Sequence, residues 1–465
     1  KKLQKSIEGP ALLKGAQILQ DFAYAYPKRN RLMGGNAHND TVDYLVSELD
    51  ALGGYYTVEK QKFSSLVQLN ASASLAVNGT TYEPGIMEFS PSGNVGAPII
   101  VVNNLGCDPA DYPAEVLGNI ALISRGTCEF GLKSVYAGLA GAVGAIIYNN
   151  IPGALNGTLG VPPRPEGDYV PTVSLSQEEG TVIVSLITGG AAVTASIGVL
   201  SVIENYTTFN VLATSNCGAQ NTTLVLGAHT DSVAAGPGIN DDGSGTIGIL
   251  EVAKQLAKYK VNNAVRFGFW SGEEEGLLGS TYYVESLSAA ELANVRAYLN
   301  FDMIASPNYI YAIYDGDGSS FNETGPPGSA DIEHFFENYF ASAGENFTAT
   351  AFDGRSDYLA FIDNGIPAGG TFTGAEEIKT QEEAEAFGGQ AGVATDPNYH
   401  QAGDTVENLN MEAFVLNTKA IAAAVATYAT TFESLPPKGL EKRNGEVRWV
   451  KPRSRRGGKT VKRAQ

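Results

Sequence analysis

Two apolar periods divide the chain. From about Lys5 to Tyr56, apolar residues recur every three or four positions, in ALLKGAQILQDFAYAY and again in TVDYLVSELDALGG, whose closing Gly pair reads as a helix stop. This predicts a peripheral helical layer. From about Ser64 to Leu200 the texture changes to short apolar runs cut by Gly and Pro. APIIVVNN, GNIALISRG, AVGAIIYNN and YVPTVSLS predict a separate β-rich module with one helix near SVYAGLAGAVG. After Asn205 the two periods alternate. TTLVLGAH, AVRFGFWS, AYLNFDMI and NYIYAIYD read as strands, whereas TIGILEVAKQLAKYK, STYYVESL, DIEHFFENYFASAG and MEAFVLNTKAIAAAVATYATTF read as helices. Such alternation predicts an α/β fold with a mixed, largely parallel sheet sandwiched between helices. In sheets of this kind ligands bind at the carboxyl ends of the strands, so the polar residues there become the first candidates for chemistry.

A length of 465 residues implies two domains, or one large domain carrying an insertion. The formal net charge of -19 argues against nucleic acid as the main partner and leaves a cationic ligand or a metal as the better match. That charge is unevenly placed. Eleven of the 31 basic residues and two of the 50 acidic ones fall in positions 438–465, so the tail carries +9 and the remainder -28. Opposite signs suggest a propeptide lying over an acidic cleft as an intramolecular inhibitor, with Lys442-Arg443 as a dibasic processing site; a solvated charge run is the plainer alternative.

Cys107 and Cys128 stand close together and Cys217 alone, and a bond between the first two would close a short loop in an oxidising compartment. Eight Asn-x-Ser/Thr sequons, at Asn39, Asn70, Asn78, Asn156, Asn205, Asn221, Asn322 and Asn346, favour a secreted, extracellular glycoprotein. The opening KKLQKSIEGP lacks the apolar core of a signal peptide, so the numbering is expected to begin on a processed protein. The uncharged stretch from Gly180 to Ile203 is broken by Gly189-Gly190 and repeated Ser/Thr; it reads as two buried elements, and no membrane is expected as partner.

Four segments end or follow strands with residues suited to metals: AHTDS around His229, GINDDGSG around Asp241, WSGEEEGLLGS around Glu273 and NFDMI around Asp302. NYHQAGDT adds His400. Imidazole suits zinc, a carboxylate can bridge two cations, and a paired-metal site needs several negative charges. Taken alone, Asp241-Asp242-Gly243 would be turn chemistry, and His38 and His334, with no motif around them, read as structural or exposed.

In this order and spacing, H-x-D, N-D-D-G-S-G, E-E-x-G-L-x-G-S, N-x-D and Y-H resemble the co-catalytic two-zinc aminopeptidases over roughly Thr207 to Phe432, and GNIALISRGTCEFGLKSVYAGLAGAVGAIIYNN resembles a protease-associated (PA) domain. The combination is most similar to secreted fungal leucine aminopeptidases. The resemblance implies a zinc exopeptidase-like fold divided into an N-terminal helical part at 1–63, a PA insertion at 64–203, a catalytic domain at 204–435 and the basic tail at 436–465. It implies two Zn2+ ions held by His229, Asp241, Glu274, Asp302 and His400, with Asp241 bridging, Glu273 as general base, and a cis peptide between Asp241 and Asp242. Asp231 is similar to the carboxylate that fixes a ligand imidazole's tautomer, and Tyr399 to the residue that donates to the oxyanion in some members. Asp357 would orient His400, and Arg355 would contact substrate. The implied reaction releases N-terminal residues, leucine or other hydrophobic ones, from peptides with a free amino terminus. Two rivals share the fold: a two-zinc carboxypeptidase, which needs clustered Arg where only Arg355 stands out, and a non-catalytic receptor-like relative, which would have lost ligands.

Overall fold

The computed structural model describes residues 1–437; the basic segment read as a covering propeptide lies outside them. The described chain forms two units, one of residues 1–64 with 207–437 and one of residues 65–206. The strands Tyr56–Val77 and Thr194–Ser215 carry the chain out of the first unit and back.

In the first unit the strands Ala219–His229, Asn263–Trp270, Val295–Phe301 and Ala368–Phe372 run parallel, and the edges add antiparallel pairings to Ala312–Tyr314 and to the end of Thr194–Ser215. The sheet is mixed and largely parallel. Its central strands are continuous apolar runs because both faces are covered. Leu224, Leu226, Phe267, Phe269, Leu299 and Phe301 face one core, into which the helices Gly9–Tyr24, Asn36–Asp50, Gly243–Leu256 and Met411–Tyr428 pack. Val225, Trp270 and Tyr298 face the other, against Tyr283 and Phe361 of the helices Leu278–Ser286 and Tyr358–Asp363. The N-terminal helices are therefore core, not periphery: Leu12, Ala16 and Leu19 are fully buried. Gly15 permits this approach, since a Cβ there would stand 2.6 Å from Ile247 Cγ2.

Register sets the site. His229 pairs with Trp270 and Gly227 with Asn300, so the three strands end level and deliver His229, the Ser271–Glu274 turn and Asp302 to one edge. Beneath them Trp270 Nε1 donates to Tyr298 Oη at 2.9 Å, and Tyr298 stacks on Phe361 with centroids 3.7 Å apart.

In the second unit, Gly93–Val101, Ile120–Ser124, Gly144–Tyr148 and Thr172–Leu175 form a parallel run, extended by Gly85–Glu88 and the start of Thr194–Ser215 in antiparallel pairing. The expected helix appears as Phe130–Leu139, but a second, Gln177–Thr188, was not anticipated. It begins with a capping box of Ser176 and Glu179 and ends before Gly189-Gly190, where the strand from Thr194 takes over. The stretch read as two buried elements is thus a helix and a strand, yet the helix is only half covered: Gly180 and Ile183 are buried while Val182 and Leu186 are exposed. No helix among the described residues is long and apolar enough to cross a membrane.

Cys107 and Cys128 form a disulfide with Cα atoms 5.7 Å apart. Closing a 21-residue separation restricts the unfolded chain by about 3 kcal/mol. Replacing both cysteines by serine is expected to lower the melting of the second unit by a corresponding amount in calorimetry of the whole chain, and an unshifted transition would contradict that contribution.

Candidate metal centre

His229 is the last residue of its strand. Its amide donates to Asp242 Oδ2 at 3.1 Å, and Asp242 Oδ1 accepts from Gly245 at 2.8 Å and Met303 at 3.1 Å. One carboxylate thereby fixes a strand end, caps the helix Gly243–Leu256 and holds the turn after Asp302. Gly245 is required there, because a Cβ would meet the Phe301 carbonyl oxygen at 2.0 Å. The peptide between Asp241 and Asp242 is cis, as the resemblance implied. Asp404 accepts from the amides of Asn240 and Asp241 at 2.8 and 3.0 Å. The fully buried Arg31 donates to the carbonyl oxygens of Thr230, Pro237 and Gly238, tying the chain on both sides of the His229 loop.

These supports bring together all five residues expected as ligands. Asp241 Oδ1 lies 3.1 Å from His229 Nε2, and its Oδ2 lies 3.2 Å from His400 Nε2. Asp302 Oδ1 stands 3.6 Å from His229 Nε2, and Glu274 Oε2 stands 2.9 Å from His400 Nε2. The result is two donor groups, His229 with Asp241 and Asp302, and Asp241 with Glu274 and His400, joined through one carboxylate. Buried Oδ1 of Asp302 and Oε1 of Glu274 find no hydrogen-bond donor among the described residues. Imidazole and carboxylate donors in this number, with enclosed lone pairs left over, suit a pair of zinc-like dications.

The electrostatics point the same way. Burial raises the carboxyl of Glu274 to about 7, assisted by Asp241 and opposed by His400. Burial also lifts Glu273 well above the carboxylate range; His229 opposes this, and Asp302, Glu274 and Asp357 add to it. Burial alone would lower His400, but its hydrogen bonds to Asp241 and Glu274 raise it to about 10. So many enclosed acids in one place call for added positive charge.

The remaining expected residues are distributed as follows. Glu273 Oε2 lies 3.9 Å from His229 Nε2, in neither donor group. Asp231 Oδ1 is 3.7 Å from His229 Nδ1, beyond an ordinary hydrogen bond, and takes the Gly272 amide at 2.8 Å instead, with further contacts to the amides of Glu273 and Glu274. Asp357 is buried, and burial raises its carboxyl to about 7, opposed by His229 and Ser280 and assisted by Asp302 and Asp231. Tyr399 stacks on His400 at 3.8 Å, and Arg355 reaches Tyr399 Oη at 3.3 Å while pairing with Glu376 at 2.9 Å. His38 is buried, its Nε2 2.8 Å from Thr230 Oγ1, and burial holds it neutral with a pKa of about 4; His334 is exposed.

Sequence reasoning missed Arg31 and Asp404, and it placed Ser356 in a segment similar to one that lines the site in relatives without giving it a role; Ser356 Oγ donates to Asp302 Oδ2 at 2.5 Å while accepting from Asn300. Asp404 lies inside the NYHQAGDT segment and was within reach. Arg31, roughly 200 positions from the loop it ties, carried no signal.

A donor set of this kind at the carboxyl edge of a parallel sheet suits a metal-dependent hydrolase. Residues 210–425 match Peptidase family M28 and residues 95–183 match the PA domain. The chain is 57% identical to the probable leucine aminopeptidase 2 of Aspergillus fumigatus, over 92% of this chain and 85% of that protein. It is 52% identical to leucine aminopeptidase 2 of Arthroderma otae, over 94% and 87%. Among solved structures it resembles an aminopeptidase from Aneurinibacillus sp. strain AM-1, with TM-score 0.74, 27% identity and coverage of 96% of this chain and 98% of that one. A zinc aminopeptidase from Bacillus subtilis shares the fold at TM-score 0.59 and 23% identity, covering 92% and 96%. The chain belongs to peptidase family M28, with a PA domain.

Replacing Arg31 with Met removes charge-assisted bonds of about 1.5–3 kcal/mol each. The variant is expected to melt several degrees lower and to bind zinc at least tenfold more weakly in a competition titration. Wild-type values in both assays would show that Arg31 does not support the loop.

Proposed function

We infer that this chain, a metallo-aminopeptidase, removes single residues from the free amino terminus of peptides, using two zinc ions held by the paired donor groups and Glu273 as general base. The sharing of Asp241 between His229 and His400, one oxygen to each, carries the reading. Zinc held by these residues would supply Lewis acidity toward a water and the scissile carbonyl. Glu273, buried and outside both groups, accepts the proton of the attacking water. Glu273 then passes that proton to the leaving amine. Burial and Asp241 hold the Tyr399 phenol protonated against Arg355, as a donor to the developing oxyanion must be.

The cleft favours an ammonium group. Asp241, Glu273, Glu274, Asp302, Asp353 and Glu377 line it, and Arg355, the one Arg among the described lining residues, pairs with Glu376. A terminal carboxylate would find no free guanidinium among the described lining residues, which disfavours the carboxypeptidase alternative. Met303, Tyr314, Tyr358 and Phe372 supply an apolar wall, and this, with the names of the fungal relatives, supports a preference for leucine and similar side chains. Secretion is supported by the disulfide and by sequons of which six, at Asn70, Asn78, Asn156, Asn205, Asn221 and Asn322, are exposed.

Glu273→Gln is expected to lower kcat on leucyl amide by about 100- to 10,000-fold while metal analysis still finds two zinc ions per chain. Loss of zinc would move Glu273 into the ligand set. A leucyl peptide should be cleaved and its N-acetyl form left intact; cleavage of both would refute the exopeptidase reading. The opposite charges of positions 438–465 and the rest of the chain support an inhibitory tail. Cutting after Arg443 is then expected to raise activity, and equal activity before and after would dismiss the idea.

A further inference from the structure

Away from the cleft, a second acidic centre closes around the turn that follows the strand Ala312–Tyr314. Asp315, Asp317 and Glu333 bring one carboxylate oxygen each to within 4.8 Å of one another, the spacing shared by both groups of the catalytic centre. Asp315 and Glu333 are almost wholly enclosed. The turn itself uses only part of their capacity. Asp315 Oδ2 accepts from the amides of Ser320 and Phe321 at 3.0 and 2.8 Å, Asp317 Oδ1 from Ser319 at 2.8 Å, and Glu333 Oε2 from Gly316 and Asp317 at 2.9 and 3.1 Å.

Oδ1 of Asp315 is different. It is enclosed and finds no hydrogen-bond donor among the described residues. A buried carboxylate oxygen without a donor, beside two further carboxylates, is costly unless a cation takes it or a proton is shared with a neighbour, here Asp317. No Lys or Arg among the described residues pairs with the three acids; the nearest basic group, the exposed His334, stays 3.9 Å from Asp317.

We propose that Asp315, Asp317 and Glu333 form a structural calcium site. The donors are all oxygen, which selects a hard cation over zinc. Calcium binds oxygen at about 2.3–2.6 Å, so donors on opposite sides of the ion stand up to about 5 Å apart, whereas the octahedron of magnesium is tighter. The order Asp315-Gly316-Asp317-Gly318-Ser319 offers oxygens at alternate positions of a tight loop, as calcium loops do. Glu333 comes from the helix Ser329–Ala343, so the ion ties that helix to the strand end. The neighbouring Tyr314 lines the catalytic cleft and stacks on Phe352, which links the site to the wall of the substrate pocket.

Calorimetric titration of the zinc-loaded enzyme with calcium chloride tests this. One calcium per chain is expected, with a melting temperature raised by several degrees. Asp315→Asn and Glu333→Gln, which keep acceptors for the loop amides, are each expected to weaken binding at least tenfold with zinc content unchanged. Asp317→Asn, at the more exposed position, provides the same comparison should the buried variants fail to fold. Absence of both heat and stabilisation at millimolar calcium in the parent enzyme, or unaltered calcium affinity in Asp317→Asn and whichever other variants fold, would overturn the site.

Discussion

Everything in the peptidase unit answers to one constraint, the enclosure of many carboxylates in a small volume. Asp231, Asp241, Asp242, Glu273, Glu274, Asp302, Asp357 and Asp404 crowd around two imidazoles. Each buried carboxylate costs several kcal/mol unless hydrogen bonds or positive charge offset it. The chain offsets part of that cost with its own backbone: Asp231, Asp242 and Asp404 collect amide donors from the loops that carry the metal-facing residues. The acids behind the site therefore position it, and the acids in front remain free for cations.

The sheet makes the crowding possible. Parallel strands ending level place three loops side by side, and no neighbouring segments of one chain could otherwise deliver His229, Glu274 and Asp302 to one point. Cores on both faces lock that register, because slipping a strand by one residue would exchange Val225 with Leu224 and Leu226 across the sheet. Arg31 adds a long-range tie from the N-terminal segment, so the helical layer before the second unit belongs to the catalytic architecture.

Legibility followed the range of the interactions. The helix Met411–Tyr428 and the strand Ala219–His229 were plain because their apolar periods are long and uninterrupted. The strand Ala368–Phe372 passed unnoticed: AGGTF carries one large apolar side chain, Phe372, and is a strand because Tyr298 to Phe301 pair with it. The helix Gln177–Thr188 hid in a run whose exposed Val182 and Leu186 imitate a buried element.

The amino-acid order by itself pointed to His229, Asp241, Glu274, Asp302 and His400, since metal chemistry demands particular side chains and these stand in recognisable local patterns. Tertiary structure alone decided which donors come together in each group, and that Arg31 and Asp404 brace the loops. Those outcomes depend on contacts between residues far apart in the chain, where packing and register, rather than any local pattern, set the distances.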